Sequence, residues 1–426
     1  MLGLIVNPVA GIGGPAGLAG SDGADVQARA SQRGGASRAA ERALTALAVV
    51  ASARPGIRVL TVAGPMGEDV VREAGLEPVL VAHPPVHTTG SDTSAAARAL
   101  ADAGASLVLF AGGDGTARDV AEGLASVGRV APDEGGRVSR PVHGEGLDTL
   151  AGARYSTGGV AGGLDMTLRA YSTDGVAAIG IPAGVKMYSP VFAVSPRAAG
   201  GIAAAWLVDG SLPLIEREVL DVDEAALRRA RVEPQLYGTL AVPYRPGRTQ
   251  ARKAATPADE FAAVRAAARG AASALRPGVR YLLGPGGTMS ELARELGVSK
   301  TPLGVDVVLD GRRVLADASE RELLDEAARG PAQAVVTVIG GQGFLLGRGN
   351  QQLSARVLGA LGDDPLLVVA PEQKLIDLGG RPLLVDTGDA DVDAALAGFV
   401  RVITGQRTTS IYPVHAPEHE GEGHAP

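Results

Sequence analysis

Apolar residues along this chain come in short continuous runs that alternate with stretches of helical spacing. Leu2-Gly3-Leu4-Ile5-Val6 opens it with a run that has no polar face, the pattern of a strand buried from both sides. Helical spacing over 38–51, an apolar run over 58–63, helical spacing over 68–74 and a short strand pattern over 78–81 follow. Thr88-Thr89-Gly90-Ser91-Asp92-Thr93 reads as the cap of a helix over 94–103, which leads into the run Leu107-Val108-Leu109-Phe110-Ala111 and then a helix over 117–126. This βα alternation predicts a parallel sheet covered by helices on both faces.

The rhythm dissolves over about 128–174, a stretch rich in Gly, Arg, Ser and Thr that reads as an insertion, or else as a lid. A strand pattern returns at 176–181 and a helix at 195–208. Strand-like runs over 215–220 and 235–244 predict a small β-rich excursion, 252–257 a linker, and 257–275 an Ala-rich helix. A second α/β rhythm starts at Arg280-Tyr281-Leu282-Leu283, with strands over 304–308, 335–339, 366–370 and 382–385 and helices over 290–296 and 320–328. The expected organisation is an N-terminal α/β domain over 1–190, a connecting segment over 191–279, a second α/β lobe over 280–412 and a disordered tail over 413–426, polar and rich in Pro and Gly.

Several predicted strands end in glycine-rich turns. Gly112-Gly113-Asp114-Gly115-Thr116 is the most restrictive. Glycines there let backbone N–H groups approach a polyphosphate at a helix N-terminus, and Asp114 stands where a phosphate donor and an acceptor hydroxyl meet. The plainer reading is a tight βα turn with an N-capping Asp or Thr. Asn7-Pro8 with Gly11, Gly13 and Gly14 is a second candidate phosphate loop, evenly balanced against an ordinary turn. Ile181-Pro182-Ala183-Gly184-Val185-Lys186 is a third such turn, and Gly284-Pro285-Gly286-Gly287-Thr288 and Gly340-Gly341-Gln342-Gly343 give the second half its own pair.

Composition narrows the chemistry. At 426 residues with 46% apolar and 20% charged residues, the chain has enough material for two domains. A net charge of −7 and 3% aromatics argue against a nucleic-acid partner. No apolar stretch reaches the length of a membrane span, no basic leader precedes the first apolar run, and the absence of cysteine removes thiolate chemistry and disulfides. A cytoplasmic location is expected. Lysine occurs only at Lys186, Lys253, Lys300 and Lys374, so the first half has no Gly-Lys-Ser/Thr loop.

The order Gly-Gly-Asp-Gly-Thr resembles the signature of NAD kinases, diacylglycerol kinases and, with Ser for Thr, phosphofructokinases. The spaced motifs around 3–14, 112–119, 180–186, 284–288, 304–306, 339–344, 347–352 and 385–388 resemble the ATP-NAD kinase family, in the branch sometimes found beside acetoin-catabolism genes. That resemblance implies NAD kinase/phosphofructokinase-like parallel sheets, two lobes around a cleft, and ATP-dependent phosphorylation of the 2′-hydroxyl of NAD(H) to give NADP(H). It implies Mg²⁺ bridging the phosphates and self-association, for instance as a dimer. Asp114 is the expected catalytic residue. Asn7, Gly13, Gly14, Gly112, Gly113, Gly115, Thr116, Lys186, Gly286, Gly287 and Thr288 are expected at nucleotide phosphates, Lys186 at a phosphate of either donor or acceptor, with a plain surface lysine as its alternative. Asp306, Gln342, Arg348 and Asn350 are acceptor-site candidates, each with a loop-stabilising alternative. Pro15 and Ala19 stand where the family pattern carries basic residues, and the 128–174 segment exceeds the family norm. A different small hydroxyl acceptor and a silent nucleotide-binding regulator are the competing readings.

Overall fold

The two adjoining strands at the middle of the first sheet have no exposed position, as their continuous apolar sequences require. In the computed structural model, which describes residues 1–18, 24–125, 175–185, 187–210, 212–221, 235–245, 247–250 and 261–417, the chain runs β1 (Leu2–Val6), α1 (Ala24–Gln32), α2 (Ala39–Ala53), β2 (Arg58–Val62), α3 (Glu68–Glu73) and β3 (Glu77–Ala82). It continues through α4 (Gly90–Asp102), β4 (Leu107–Gly112), α5 (Asp114–Ala125), β5 (Ala177–Pro182) and α6 (Pro196–Asp209). The five strands form an all-parallel sheet of order β3-β2-β1-β4-β5. Strands β1, β4 and β5 are buried throughout, whereas the edge strand β3 is only partly covered. Helix α4 packs on α5, and α2 on α6, so each face carries a helix pair. The strand order reverses between β1 and β4, which places the Asn7 and Gly112 turns at the crevice where such sheets bind ligands.

The expected β-rich excursion is a single antiparallel hairpin, β6 (Leu214–Asp221) and β7 (Gln235–Pro243), leaning on α5. Helix α7 (Phe261–Ala274) then leads into β8 (Arg280–Leu283), α8 (Gly287–Glu295), β9 (Asp306–Leu309), β10 (Arg312–Leu315), α9 (Glu320–Ala327) and β11 (Ala332–Val336). Next come α10 (Ala355–Ala360), β12 (Leu366–Val369), α11 (Glu372–Ile376), β13 (Leu383–Leu384), α12 (Ala390–Leu396), β14 (Gly398–Ile403) and β15 (Thr409–His415). The second sheet is mixed. Strands β8, β11, β12 and β14 run parallel, with β9 and β10 antiparallel at one edge and β15 antiparallel to β14 at the other.

Strands β14 and β15 correct the sequence reading. Pro413 and His415, where the disordered tail is expected to begin, lie in β15, which pairs with β14 from Ile403↔Thr409 to Gly398↔Val414. The strand is hard to recognise because Val414 is its one buried residue. Lys186, the 128–174 segment, the 252–257 linker, Ala19 and the chain beyond 417 lie outside the described residues.

Each sheet has its own apolar core, but the second half also enters the first. Phe344 is fully buried in the first lobe's core, and Ile339 and Leu384 pack against it. Backbone bonds from Gly349 N–H to the Val185 carbonyl and from Glu320 N–H to the Pro15 carbonyl, both at 2.9 Å, tie the lobes together beside the first sheet's strand ends.

Candidate functional site

The Gly112 turn begins where β4 runs out of apolar residues. The Ala117 N–H donates to the Gly113 carbonyl at 3.0 Å and closes the first turn of α5. The N–H groups of the residues that open this helix have no intrahelical acceptor, and the helix dipole favours negative charge in front of them. Gly112 has to be glycine because a Cβ there would stand 2.2 Å from Thr116 Oγ1. Thr116 is buried and accepts a 2.9 Å hydrogen bond from Asn7 Nδ2, while Asn7 Oδ1 accepts from the Val9 N–H. One amide side chain thus joins the first two candidate phosphate loops. The β5 turn closes in from a third side: Gly11, at φ +78°, would place a Cβ 2.3 Å from the Ala183 carbonyl oxygen.

Asp114 is the first residue of α5, and its side chain turns away from its own helix. Its two oxygens accept the N–H groups of Tyr188 at 2.6 Å and Ser189 at 3.0 Å. Burial pushes its pKa up to about 7, against the hydrogen bonds from Ser189 and Tyr188, and the nearby Asp221 charge adds to the rise. A carboxylate in this setting changes protonation state near neutral pH. The simple N-cap alternative does not describe it, because it clamps a separate segment.

The remaining predicted residues divide into distinct places. Gly13 and Gly14 are in the Asn7 loop, with Gly14 facing Gln351 of the second lobe. Gly286 and Gly287 form the second sheet's own strand-end turn, with Gly286 at φ +111°, and Thr288 Oγ1 lies 3.4 Å from Lys374 Nζ. Asp306 is fully buried. It accepts from Thr301 N–H and Oγ1 at 2.8 and 2.5 Å and from the Asp317 N–H at 2.9 Å, with Arg313 at 3.5 Å. It therefore ties the loop before β9 to the segment that follows β10.

Gln342, Arg348 and Asn350 reach the junction of the lobes, where their partners are protein groups. Gln342 Nε2 donates to the Met187 carbonyl at 2.8 Å. Asn350 receives the Gly347 N–H and donates to the Leu345 carbonyl. Arg348 donates to Asp386 Oδ2 at 2.7 Å, to the Val194 carbonyl and to Gln250 Oε1, and its guanidinium lies 4.0 Å from the centre of the Phe344 ring. These are the contacts of loop-fixing residues.

Sequence reasoning passed over the partners of these groups. Asp386 also receives Arg42 Nη2 at 2.5 Å, across the lobes. Burial alone would raise its pKa, but the two guanidiniums overcome that and hold it below the usual carboxylate range. Its signal was the Val385-Asp386-Thr387-Gly388 motif. Ser189, Tyr188 and Gln250 carry no motif of their own; only the fold brings them to Asp114 and Arg348. Although Pro15 leaves the first loop without a basic residue, Arg38 and Arg42 of the neighbouring helix segment line a small cavity beside it, together with Arg348.

Residues 2–129 match the model of the ATP-NAD kinase N-terminal domain, and residues 276–414 match that of the ATP-NAD kinase C-terminal domain. The chain belongs to the ATP-NAD kinase family. No curated protein and no solved structure matches it. Kinase family membership agrees with the parallel, helix-flanked sheet and supports NAD kinase-like phosphotransfer in general. The C-terminal match ends within β15, so that strand is part of the family domain. Among the described residues, no helix is long and apolar enough to cross a membrane.

Proposed function

We propose that this chain transfers the terminal phosphoryl group of ATP to the 2′-hydroxyl of the adenosine ribose of NAD(H), giving ADP and NADP(H). The observation that carries the reading is Asp114, a buried carboxyl with a pKa of about 7 at a glycine-rich helix start. Phosphoryl transfer asks the protein mainly for positioning and charge stabilisation. The ATP phosphates lie over the N–H groups of the Gly112–Thr116 turn, with the Thr116 hydroxyl, already oriented by Asn7, at its edge. Asp114 accepts the proton of the ribose hydroxyl as that oxygen bonds to the γ-phosphorus and the bond to the ADP oxygen breaks. The acceptor lies toward the junction of the lobes, where the 339–352 segment meets the β5 turn.

The described residues contain no group of three His, Asp or Glu side chains suited to a metal, and both Asp114 oxygens already accept N–H groups. This donor set fits Mg²⁺ carried by nucleotide phosphates, the usual arrangement for that ion. When bound, Mg²⁺ neutralises charge on the phosphate oxygens.

The test incubates the protein with Mg-ATP and either NAD or NADH, following NADP(H) with a coupled dehydrogenase alongside ADP release. Asp114→Asn should lower turnover by about 10²- to 10⁴-fold, the usual worth of a general base. A folded Asp114→Asn protein with full turnover would make the carboxylate a clamp only. ADP release without NADP(H) would mean transfer to water, the mark of a futile ATPase or of an enzyme whose own acceptor is another small hydroxyl compound.

A further inference from the structure

The groups that hold Asp114 are themselves held by one serine. Residues 187–189 form neither helix nor strand, so their position depends on side-chain ties. Ser189 is completely buried. Its hydroxyl accepts from the Leu220 N–H at 2.9 Å and donates to the Leu220 carbonyl at 2.8 Å. One side chain thus makes both hydrogen bonds that a neighbouring strand would otherwise offer Leu220, locking hairpin β6–β7 to the segment that supplies both of Asp114's donors. Arg118 of α5 reaches Asp221, the next residue of β6, at 2.8 Å and lies over the Tyr237 ring of β7. On the opposite side, Gln250 and Gln342 hold the Met187 carbonyl.

We propose that Ser189 is a positioning residue for the phosphoryl transfer, through which the β6–β7 hairpin keeps the Tyr188 and Ser189 N–H groups on the Asp114 carboxylate. The proposal rests on the reading of Asp114 as the group that takes the acceptor's proton. The Ser189 side chain and the two N–H donors that it holds in place together favour the ionised carboxylate and oppose its burial. Among the charged and titratable groups around it, Asp221 disfavours ionisation and is paired with Arg118. The Tyr188 phenol, pushed up to about 12 by burial and by Asp114, stays neutral and adds no charge in the working range. Loosening the donors therefore leaves burial and Asp221 less opposed, and the carboxyl ionises at higher pH.

The experiment is the pH–rate profile of Ser189→Ala under saturating Mg-ATP and NAD(H). The acid limb should move up by about half a pH unit or more, the scale on which individual hydrogen bonds shift a carboxyl. The alkaline plateau and both KM values should be largely retained. Val242→Ala opens a cavity in the same hairpin without touching the clamp; it should lower Tm and leave the midpoint in place. Ser189→Cys, nearly isosteric but a weaker donor and acceptor, should shift the limb in the same direction by less, which decides the matter if Ser189→Ala does not fold. A fall in rate uniform with pH, an unmoved midpoint or a downward shift overturns the proposal. If Asp114→Asn keeps full turnover, the reading of Asp114 fails instead; an inactive Asp114→Asn beside an unmoved Ser189→Ala profile confines the failure to Ser189.

Discussion

Asp114, at the strand ends of the first lobe, and Asp386, where the lobes meet, are shielded almost equally, at 5% and 2% exposure. Desolvation pushes both toward the neutral acid. At Asp386 two guanidiniums reverse the push, one from each lobe, and the carboxylate stays charged. At Asp114 the partners are all neutral, the Ser189 side chain and the N–H groups of Tyr188 and Ser189, and Asp221 adds repulsion, so its pKa stays near 7. Burial is therefore a poor guide to which carboxylate reacts. The deciding variable is whether a cation accompanies it, because a fixed charge pair serves cohesion whereas a carboxylate held by dipoles can take up and release a proton.

The contrast breaks most visibly at Asp386. Replacing it with Ala leaves Arg42 and Arg348 buried without their anion, and removing one partner of such a pair costs about 3–5 kcal/mol. Denaturant unfolding should show that loss at neutral pH. A loss below about 1 kcal/mol would instead match a solvent-exposed ion pair.

The pH dependence of stability sharpens the same comparison. Asp114 has a folded pKa of about 7 against an ordinary value of 3.8, so between those limits the native state binds more protons than the unfolded chain. Its contribution to stability therefore falls as pH rises from about 4 to about 7, by at most about 1.4 kcal/mol per pH unit for one proton. Asp386, with a lowered folded pKa, behaves oppositely: its contribution is present above about pH 4 and is lost in acid. Subtracting the Asp114→Asn stability curve from that of the parent between pH 4 and 7 isolates the first slope. A difference that does not vary with pH would mean that Asp114 is ionised throughout.

Much of this was legible in the sequence where local pattern and fold agree. The continuous apolar runs of β1, β4 and β5 marked the fully buried strands, and the Gly112 turn marked the strand end that carries Asp114. Pairings between distant parts of the chain were not legible. Arg42 and Asp386 are separated by 344 positions, and nothing in the local setting of either residue announces the other. Arg348 illustrates the converse limit: its residue type suits a phosphate, but the fold surrounds it with Asp386, Gln250 and a backbone carbonyl. Strand β14 escaped the reading because only its last two residues, Val402 and Ile403, are buried while the apolar Phe399 is exposed, so its apolar positions follow neither the alternating nor the fully buried pattern that marks a strand.

The smallest effect concerns the neutral bond that joins the two glycine-rich loops. Asn7→Ala removes the donor to Thr116 Oγ1 and the acceptor for the Val9 N–H. Both bonds are neutral and only part-buried, so the expected cost is about 1 kcal/mol in unfolding free energy, well below that of Asp386→Ala. Its functional cost should be larger in proportion. Thr116 then loses the group that orients its hydroxyl, and the proposed phosphate contact becomes one rotamer among several, so KM for ATP should rise while the pH midpoint set by Asp114 stays where it is. A variant that loses stability without any change in KM would place Thr116 in the packing of the strand end and leave the backbone N–H groups to hold the phosphates alone.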